Sequence, residues 1–249
     1  DNIKIVDTYG WKRKPITLIR KCFMLINKCQ NIIILPAHNG IRVFPFLFLL
    51  LNGLFHKKLH YVVIGGWLPE FLACHNNLKN RLNRFDGIYV ETYSMLEKLQ
   101  KMGLRNIKYL PNFKRLRILD ESELIYQNEE PYRLCTFSRV TKEKGIEDAI
   151  EAVKNINNTL GRTVYTLDIF GQVDVKYKAR FETLKKEFAG YIKYKGEVDY
   201  NKAVDVLKNY FLLLFPTHFK TEGVPGTIID AYSAGIPVIA SNWDYANEV

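Results

Sequence analysis

One loop, residues 216–226, combines glycines with a carboxylate in a pattern suited to holding a phosphorylated ligand. Gly223 and Gly226 carry no Cβ atom, so the backbone N–H groups around them can approach a ligand closely. A helix predicted to begin near Thr227 directs its unpaired N–H groups and the positive end of its dipole at the loop, which favours a phosphate group. Glu222, just ahead of the glycines, can accept hydrogen bonds from ligand hydroxyl groups.

Asp230 has two interpretations. The run Thr227-Ile-Ile-Asp230 has the form of a capping box, in which the threonine closes the helix and the acidic side chain reaches back to the backbone. The same carboxylate, one turn into a helix that starts at a glycine-rich loop, could instead contact a ligand. The residues alone leave both interpretations open.

A second candidate is a basic turn, residues 138–145, which follows an apolar run at 132–137 and precedes a helical pattern. Arg139 and Lys144 flank this turn, and two cations in such a position can bind one diphosphate between them. A basic turn by itself is more often only solvated surface. Opposite a glycine-rich helix start it becomes a candidate binding site.

Weaker candidates lie in the first half of the chain. Gly65-Gly66-Trp67 and His38 each follow an apolar run that predicts a strand, although a glycine pair is often a simple turn and a single histidine is more often structural. No P-loop, dinucleotide-binding fingerprint, nucleophile elbow or zinc-protease motif occurs. Asp174 has no second carboxylate at a metal-binding spacing, so we expect no metal ion.

The elements that must position these residues follow from the hydrophobic pattern. Short apolar runs predict buried strands at 32–35, 61–64, 87–90, 107–110, 132–137, 164–170, 191–195, 211–215 and 237–240. Amphipathic or apolar segments predict helices at 43–55, 95–102, 146–155, 177–188, 203–210 and 227–234. Such alternation predicts an α/β protein with parallel sheets, in which ligands bind at the carboxyl ends of strands.

The alternation breaks at residues 112–131, which are rich in charge and contain no clear buried strand. We therefore predict two α/β domains, residues 1–128 and 129–249, with a cleft between them. The chain begins at Asp1 rather than Met and ends soon after an apolar run. We expect both domains to be truncated, one at each end of the chain.

Charge is distributed unevenly between the two halves. Residues 1–112 contain 17 Lys and Arg against 6 Asp and Glu, whereas residues 113–249 contain 19 against 20. The excess predicts an anionic partner for the first half, which could be membrane headgroups, a phosphorylated lipid or nucleic acid, although an ordinary soluble surface explains it equally well. No nucleic-acid-reading motif is present, so we expect no nucleic-acid partner.

The apolar run 43–55 is shorter than the about 20 residues that span a bilayer. It therefore predicts a buried or interfacial helix.

Residues 132–249 resemble the C-terminal domain of glycosyltransferase family 4, whose members have the GT-B fold of two Rossmann-like domains with parallel sheets. The resemblance rests on a strand followed by an arginine and a Lys-Gly pair, and on a Glu-Gly-x-Pro loop followed by a second acidic residue and Gly-x-Pro-Val. In this chain these are Arg139, Lys144-Gly145, Glu222-Gly223-Val224-Pro225, Asp230 and Gly235-Ile236-Pro237-Val238. Leu110-Pro111-Asn112 resembles the end of the family's first domain.

The resemblance implies a role for each candidate. Arg139 and Lys144 would bind the donor diphosphate and stabilise the departing nucleotide, and Glu222 would hold the sugar; these three are the predicted catalytic residues. The predicted donor-binding residues are Gly223, Val224, Pro225, Gly226, Thr227 and Asp230, the last in place of a glutamate that bonds the ribose. The family retains the anomeric configuration without a metal ion, so we expect no cofactor besides the nucleotide sugar as substrate.

The chain departs from the family pattern at three points. Asp230 is one methylene shorter than the usual glutamate, which shortens its reach toward the ribose. Val173 stands where a second glycine is common, and Gly65-Gly66 stands where many members have a histidine.

We therefore predict a hexosyltransferase that moves a sugar from a nucleotide sugar to a hydroxyl of a saccharide or lipid-linked saccharide. Residues 139–230 would hold the nucleotide sugar, and the acceptor would face residues 1–112. The predicted acceptor-side residues are Gly65, Gly66, Trp67 and His38. The product would belong to bacterial capsule, exopolysaccharide or lipopolysaccharide. Cysteines without disulfide or zinc spacing predict a cytoplasmic protein, with peripheral contact to the membrane. Two alternatives remain open: a nucleotide-sugar epimerase of the same fold, and a non-catalytic nucleotide-sugar-binding module.

Overall fold

The computed structural model of the protein describes residues 3–8 and 10–249, with only the backbone of Trp11. The chain divides into two compact units, Asp1–Pro111 and Asn112–Val249. The second unit begins upstream of the boundary predicted at 128/129, because residues 112–128 belong to it. The backbone N–H of Leu119, for example, donates to the carbonyl of Ser233 at 3.1 Å.

The first unit is built on a four-stranded parallel sheet in the order β1-β2-β3-β4. Its strands are β1 (Asn31–Ile34), β2 (Lys58–Val62), β3 (Gly87–Val90) and β4 (Ile107–Tyr109). Its helices are α1 (Pro15–Ile26), α2 (Phe44–Phe55), α3 (Leu68–Ala73), α4 (Asn76–Leu82) and α5 (Tyr93–Lys101). Each strand is added beside the previous one in the same direction, so the winding of this sheet does not reverse between the described strands.

The second unit is built on a five-stranded parallel sheet in the order β7-β6-β5-β8-β9. Its strands are β5 (Tyr132–Phe137), β6 (Tyr165–Phe170), β7 (Ile192–Gly196), β8 (Leu212–Phe215) and β9 (Val238–Ala240). Its helices are α6 (Ile146–Leu160), α7 (Lys178–Lys186), α8 (Ala203–Leu207) and α9 (Gly226–Ser233). The winding reverses between β5 and β8, and at such a switch point the loops that follow the two strands border a crevice.

Two hydrophobic clusters hold the second sheet, one on each face. One buries Ile146 and Val153 of α6 against Leu167 of β6, and the other buries Leu213 of β8 against Ala231 of α9. The apolar positions of α6 recur at helical spacing, which explains why this segment forms a helix that covers the sheet. The rigid core fixes the loops at the carboxyl ends of β5 and β8.

The predicted elements agree with the structure to different degrees. Strands β3 and β5 have the predicted bounds, whereas α1, α3 and α4 were not predicted. Helix α2 is buried on one face only: Phe44 and Phe48 are buried, while Leu50 and Leu54 are 63% and 74% exposed. In the part of the chain that the structure describes, no helix is both long enough and apolar enough to cross a membrane.

Candidate functional site

The loops after β5 and β8 are in direct contact at the switch point. The backbone N–H of His218 donates to the carbonyl of Glu143 at 2.7 Å. Gly145 has a φ of 67°, and a Cβ atom on it would stand 1.8 Å from the carbonyl oxygen of Pro216. Only glycine tolerates both the positive φ and this close approach. The glycine of the Lys-Gly pair therefore sets the spacing between the two loops.

Lys144 and Glu222, predicted from separate motifs, form an ion pair across this contact. The Thr217 hydroxyl donates to the same Glu222 carboxylate oxygen at 3.0 Å. The Lys144 ammonium also lies 5.1 Å from the ring centroid of Phe215 and 5.3 Å from that of Phe219. The two charged side chains are only 13% and 16% exposed, so each holds the other in one orientation. A lysine ammonium has three donors, and pairing with Glu222 leaves others for a ligand.

Arg139 lies in the same loop as Lys144 but is exposed, and no described carboxylate forms an ion pair with it. The backbone that carries it is nevertheless fixed. The N–H of Val140 donates to the carbonyl of Gln172 at 2.8 Å, and the N–H of Asp174 donates to the carbonyl of Val140 at 3.1 Å. The guanidinium therefore extends from a rigid base and is available to an anionic ligand.

The glycine-rich loop leads directly into α9. This helix begins at Gly226, and no side chain caps it. The N–H of Ile228 donates to the carbonyl of Pro225 at 3.0 Å, so the N–H groups without an intrahelical partner are those of Gly226 and Thr227. The loop carbonyls, in contrast, are held by the protein. The amide of Asn112 donates to the carbonyl of Val224 at 2.8 Å, and the indole N–H of Trp243 donates to that of Gly223 at 3.3 Å. The positive end of α9 is thus open to an anion.

Asp230 does not cap α9. Its side chain is 5% exposed, and Nζ of Lys114 lies 2.6 Å and 2.7 Å from its two carboxylate oxygens. The Thr227 hydroxyl has no hydrogen-bond partner in the structure, so neither half of the predicted capping box forms. The capping interpretation is wrong because a charged partner, Lys114, holds the carboxylate away from the N-terminal backbone of the helix. Contact with a ligand stays a prediction.

Two residues of this site come from the segment that opens the second unit. Asn112 and Lys114 lie more than 100 positions before the groups that they contact. Asn112 belongs to the run Leu110-Pro111-Asn112, which carries part of the resemblance, whereas Lys114 belongs to no motif. Nothing local distinguishes Lys114 from the neighbouring Arg115, because a cation that faces a buried carboxylate is recognisable only in the folded chain.

The four predicted acceptor-side residues lie together in the first unit, after β1 and β2. The exposed imidazole of His38 stacks on the indole of Trp67, with ring centroids 4.0 Å apart. Gly65 has a φ of 79°, and its N–H donates to the Glu91 carboxylate at 3.2 Å. Gly66 is buried beside it. The glycine pair is therefore a bend that places the buried indole of Trp67 beside the exposed ring of His38, and the two rings form a stacked aromatic pair.

The site in the second unit interacts with a ligand mainly through charged groups and hydrogen bonds. Lys144, Arg139 and the start of α9 favour negative charge, while Glu222 and Asp230 can accept hydrogen bonds from hydroxyl groups. Within residues 3–8 and 10–249, no three His, Cys, Asp or Glu side chains are grouped to hold a metal ion. Such a set can bind a phosphorylated, hydroxyl-rich ligand and stabilise charge that develops on its phosphate.

Sequence comparison relates the chain to known proteins. The family model described as glycosyl transferases group 1 matches residues 121–249. An uncharacterized glycosyltransferase of Methanocaldococcus jannaschii is 23% identical over 204 residues, which are 80% of this chain and 45% of the relative. The GtfA subunit of the Streptococcus pneumoniae UDP-N-acetylglucosamine–peptide N-acetylglucosaminyltransferase is 24% identical over 168 residues, 67% of this chain and 32% of the relative. The chain thus spans less than half the length of these curated relatives.

Solved structures share the fold. Pneumococcal GtfA in complex with UDP and GlcNAc has a TM-score of 0.70 at 19% identity, covering 93% of this chain and 46% of that one. Anabaena HepE in complex with UDP and glucose has a TM-score of 0.70 at 15% identity, covering 98% and 67%. Staphylococcus aureus TarM, in a complex that includes UDP, has a TM-score of 0.69 at 18% identity, covering 93% and 46%. The likeness confirms the predicted α/β fold with two parallel sheets, which is that of GT-B glycosyltransferases.

Proposed function

The chain belongs to the group 1 glycosyl transferases, and on that premise we propose that it transfers a sugar from a nucleotide-sugar donor to an acceptor hydroxyl. The observation that carries the proposal is the pairing of Glu222 with Lys144 and of Asp230 with Lys114 beside an uncapped helix start. The finer assignment that we propose is family 4, with a hexose as the transferred sugar and retention of its anomeric configuration. UDP-sugars are the first donors to test, since the similar structures of GtfA, HepE and TarM contain UDP.

The proposed catalytic effect is stabilisation of the leaving group. When the bond between the sugar and the diphosphate breaks, negative charge develops on the departing phosphate. Lys144, Arg139 and the first N–H groups of α9 would surround that charge, and such preorganised donors lower the energy of the transition state. Gly145 contributes by fixing the spacing of the two loops, so little rearrangement is needed as the charge develops.

The two acidic residues would orient the donor through its hydroxyl groups. Glu222 would bind the transferred sugar, and Asp230 the ribose of the nucleotide. A buried carboxylate is costly unless it is paired, and Lys114 supplies that pairing while leaving further lone pairs of Asp230 to accept hydrogen bonds. We propose no metal ion and no cofactor besides the donor itself.

We propose that the first unit supplies the acceptor contacts, through Gly65, Gly66, Trp67 and His38. The acceptor would be a saccharide or a lipid-linked saccharide, and the product a bacterial capsule, exopolysaccharide or lipopolysaccharide. The exposed imidazole of His38 can hydrogen-bond a sugar hydroxyl, and the buried indole of Trp67, stacked on it, holds that ring in place.

A turnover assay tests the proposal. Purified protein is incubated with UDP-sugars and other nucleotide sugars, with and without saccharide acceptors, and released nucleotide and the anomeric configuration of the product are measured. We expect nucleotide release that depends on an acceptor, with retained configuration. Conversion of the donor sugar without an acceptor would instead favour an epimerase, and saturable nucleotide-sugar binding without turnover would favour a non-catalytic module.

We also propose that the protein is cytoplasmic and rests on the membrane surface through α1 and α2. These helices touch through Phe23 and Phe55, whose ring centroids are 5.2 Å apart, and both expose large apolar side chains, Phe23 and Leu50 among them. Between Asp7 and Glu70 the chain has nine Lys and Arg and no acidic residue. Exposed apolar side chains ringed by cations suit an anionic lipid surface.

A further inference from the structure

A cavity of about 370 Å³ lies in the first unit, between the turn that precedes α2 and the corner that joins α3 to α4. Its polar lining comes from Arg42, His75, Asn76, Asn77 and Arg81. The volume lies within the usual range for small-ligand sites, about 300–1,000 Å³. No step of the proposed donor chemistry uses these residues.

Both arginines of this cavity are held by aromatic rings. Cζ of Arg42 lies 5.2 Å from the ring centroid of Phe71, and Cζ of Arg81 lies 5.0 Å from that of Phe46. A guanidinium that rests over a ring keeps its N–H groups at its edge, free to donate. The rings thus restrain the two cations without occupying their hydrogen-bond donors.

In the part of the chain that the structure describes, no carboxylate pairs with these two arginines. Among the described side chains, none of Asp or Glu forms an ion pair with Arg42 or Arg81. The sequence explains this, because Glu70 is the one acidic residue between Asp7 and Asp86, and the Asp86 carboxylate accepts a hydrogen bond from the N–H of Leu59 at 2.8 Å. Two cations beside one cavity repel each other, and an anion bound between them would remove that repulsion.

His75 is the third fixed group of the cavity. Its ring stacks on Phe71 with centroids 4.2 Å apart and an interplanar angle of 7°. Its Nδ1 lies 2.7 Å from the carbonyl oxygen of Phe71, and since a carbonyl can only accept, Nδ1 must carry the hydrogen. Nε2 then accepts from a protonated phosphate when the ring is neutral, and donates to an ionised one when the ring is charged.

The cavity adjoins the acceptor-side aromatic pair through one ring. Phe71 packs edge-on against Trp67 and against His38, with centroid separations of 5.5 Å and 5.7 Å. The same Phe71 contacts Arg42 and His75. A ligand that contacts the exposed ring of His38 would therefore have the cavity within reach of a substituent.

We propose that the Arg42–His75–Arg81 cavity binds the phosphate group of a phosphorylated acceptor, carried either by a lipid or by a soluble saccharide. Two restrained guanidinium groups and the neighbouring Asn76 and Asn77 amides supply donors for phosphate oxygens. The role as an acceptor site rests on the proposed sugar transfer, whereas the binding of phosphate does not.

The test is a titration of ¹³C-histidine-labelled protein with inorganic phosphate, followed by NMR at constant ionic strength set with chloride. His75→Gln assigns the His75 signal, and His218, in the loop after β8, reports separately on phosphate near the donor loops. We expect the His75 signal to shift saturably. Arg42→Gln should weaken the binding read at His75 about tenfold or more, as expected for loss of a charged hydrogen-bond donor.

The matched control is Arg84→Gln, which removes the same charge from an exposed position outside the cavity. It should weaken binding less than twofold. If Arg42→Gln fails to fold, as judged by its thermal unfolding, Arg42→Lys replaces it and should show an intermediate loss, because the charge remains but the forked geometry does not. No saturable shift of His75, or equal weakening by Arg84→Gln, would overturn the proposal.

Vesicles distinguish the two sources of phosphate. If vesicles of phosphatidylglycerol in phosphatidylcholine displace inorganic phosphate from the site in an Arg42-dependent manner, a lipid carries the phosphate. If only soluble phosphate binds, a phosphorylated saccharide is the partner. The two proposals can fail separately. If the His75 signal does not shift but nucleotide release still depends on an acceptor, only the proposal of a phosphate site is wrong. If the His75 signal shifts but no acceptor-dependent nucleotide release occurs, only the proposal of sugar transfer is wrong.

Discussion

The two units use their cations in different ways. In the second unit, Lys114 and Lys144 each lie against a carboxylate, and the unit has 19 Lys and Arg against 20 Asp and Glu. In the first unit, Arg42 and Arg81 rest over aromatic rings, and the unit has 17 Lys and Arg against 6 Asp and Glu. The sheets differ as well, since the winding reverses in the second unit but not between the described strands of the first.

The way in which its cations are partnered indicates what each unit is suited to do. A cation paired with its own carboxylate is oriented before a ligand arrives, which is the condition for stabilising charge in a transition state. A surplus of unpaired cations produces a wider field that attracts anionic partners and is screened by salt. This contrast supports the proposed donor chemistry in the second unit and the proposed capture of an anionic acceptor or surface by the first.

The largest expected effect comes from removing the paired cation of the donor site. Lys144→Ala should lower kcat/KM for acceptor-dependent nucleotide release by about 10²–10³, because it deletes a preorganised donor to the leaving group. Lys142→Ala, which removes an exposed lysine from the same turn, should leave the rate within about threefold of the unsubstituted protein. Equal losses in both variants would show that the pairing with Glu222 has no special role.

A smaller effect, on the free energy of unfolding, is expected at the ion pair between Lys114 and Asp230. Lys114→Met leaves the Asp230 carboxylate buried and unpaired, and should lower the free energy of unfolding by about 3 kcal/mol, measured by urea denaturation. Arg115→Met, at an exposed neighbouring position, should change it by less than about 0.5 kcal/mol.

The double variant Lys114→Met/Asp230→Leu separates stability from binding at this pair. Replacing both buried charges by apolar side chains should restore most of the stability but not the affinity for the nucleotide. A double variant that binds UDP as tightly as the unsubstituted protein would exclude Asp230 as the ribose ligand.

Binding of the first unit to membranes, as proposed for α1 and α2, is expected to depend on single apolar side chains. Phe23→Ser and Leu50→Ser should each lower binding to anionic vesicles about tenfold, since burying one large apolar side chain contributes about 1.5 kcal/mol or more. Ile156→Ser is the control, because Ile156 is a similarly exposed apolar residue in the second unit. Co-sedimentation measures all three, and loss of vesicle binding in the control would remove the distinction between the units.

The smallest effect concerns the ion pair between Glu147 and Arg180 on the surface of the second unit, and how its contribution to stability varies with pH. Hydrogen bonding from the Arg180 guanidinium, together with that from the Tyr177 hydroxyl, holds the pKa of the Glu147 carboxyl below its ordinary value. The resulting stabilisation is complete above the unfolded pKa of about 4.3 and is lost as pH falls through the lower folded pKa. Glu147→Gln should therefore cost less than about 1 kcal/mol at pH 7, with the difference shrinking in acid. A difference that grew below pH 4 in urea denaturation would contradict this sign.

Part of the fold and of the site could be predicted because the signals are local. The alternation of apolar runs predicts the strands, and β3 and β5 have the predicted bounds. Helices α3 and α4 were missed because they are short, six and seven residues, and leave little room for a periodic pattern. Helix α1 was missed although its buried residues, Leu18, Cys22 and Ile26, recur at helical spacing.

The residue types at the ends of β5 and β8 can be read along the chain, and they predicted Arg139, Lys144 and Glu222 as members of one site. Their local motifs carry that information, and the alternation of strands and helices implies the carboxyl edge where they meet. Which of these charges are neutralised depends on the folded chain. Lys144 and Glu222 lie 78 positions apart, and Lys114 and Asp230 lie 116 apart. The unpaired state of Arg42 and Arg81 likewise depends on which side chains surround them. Ion pairing depends on distances of a few ångströms between segments that only folding brings together, and no spacing along the chain encodes those distances.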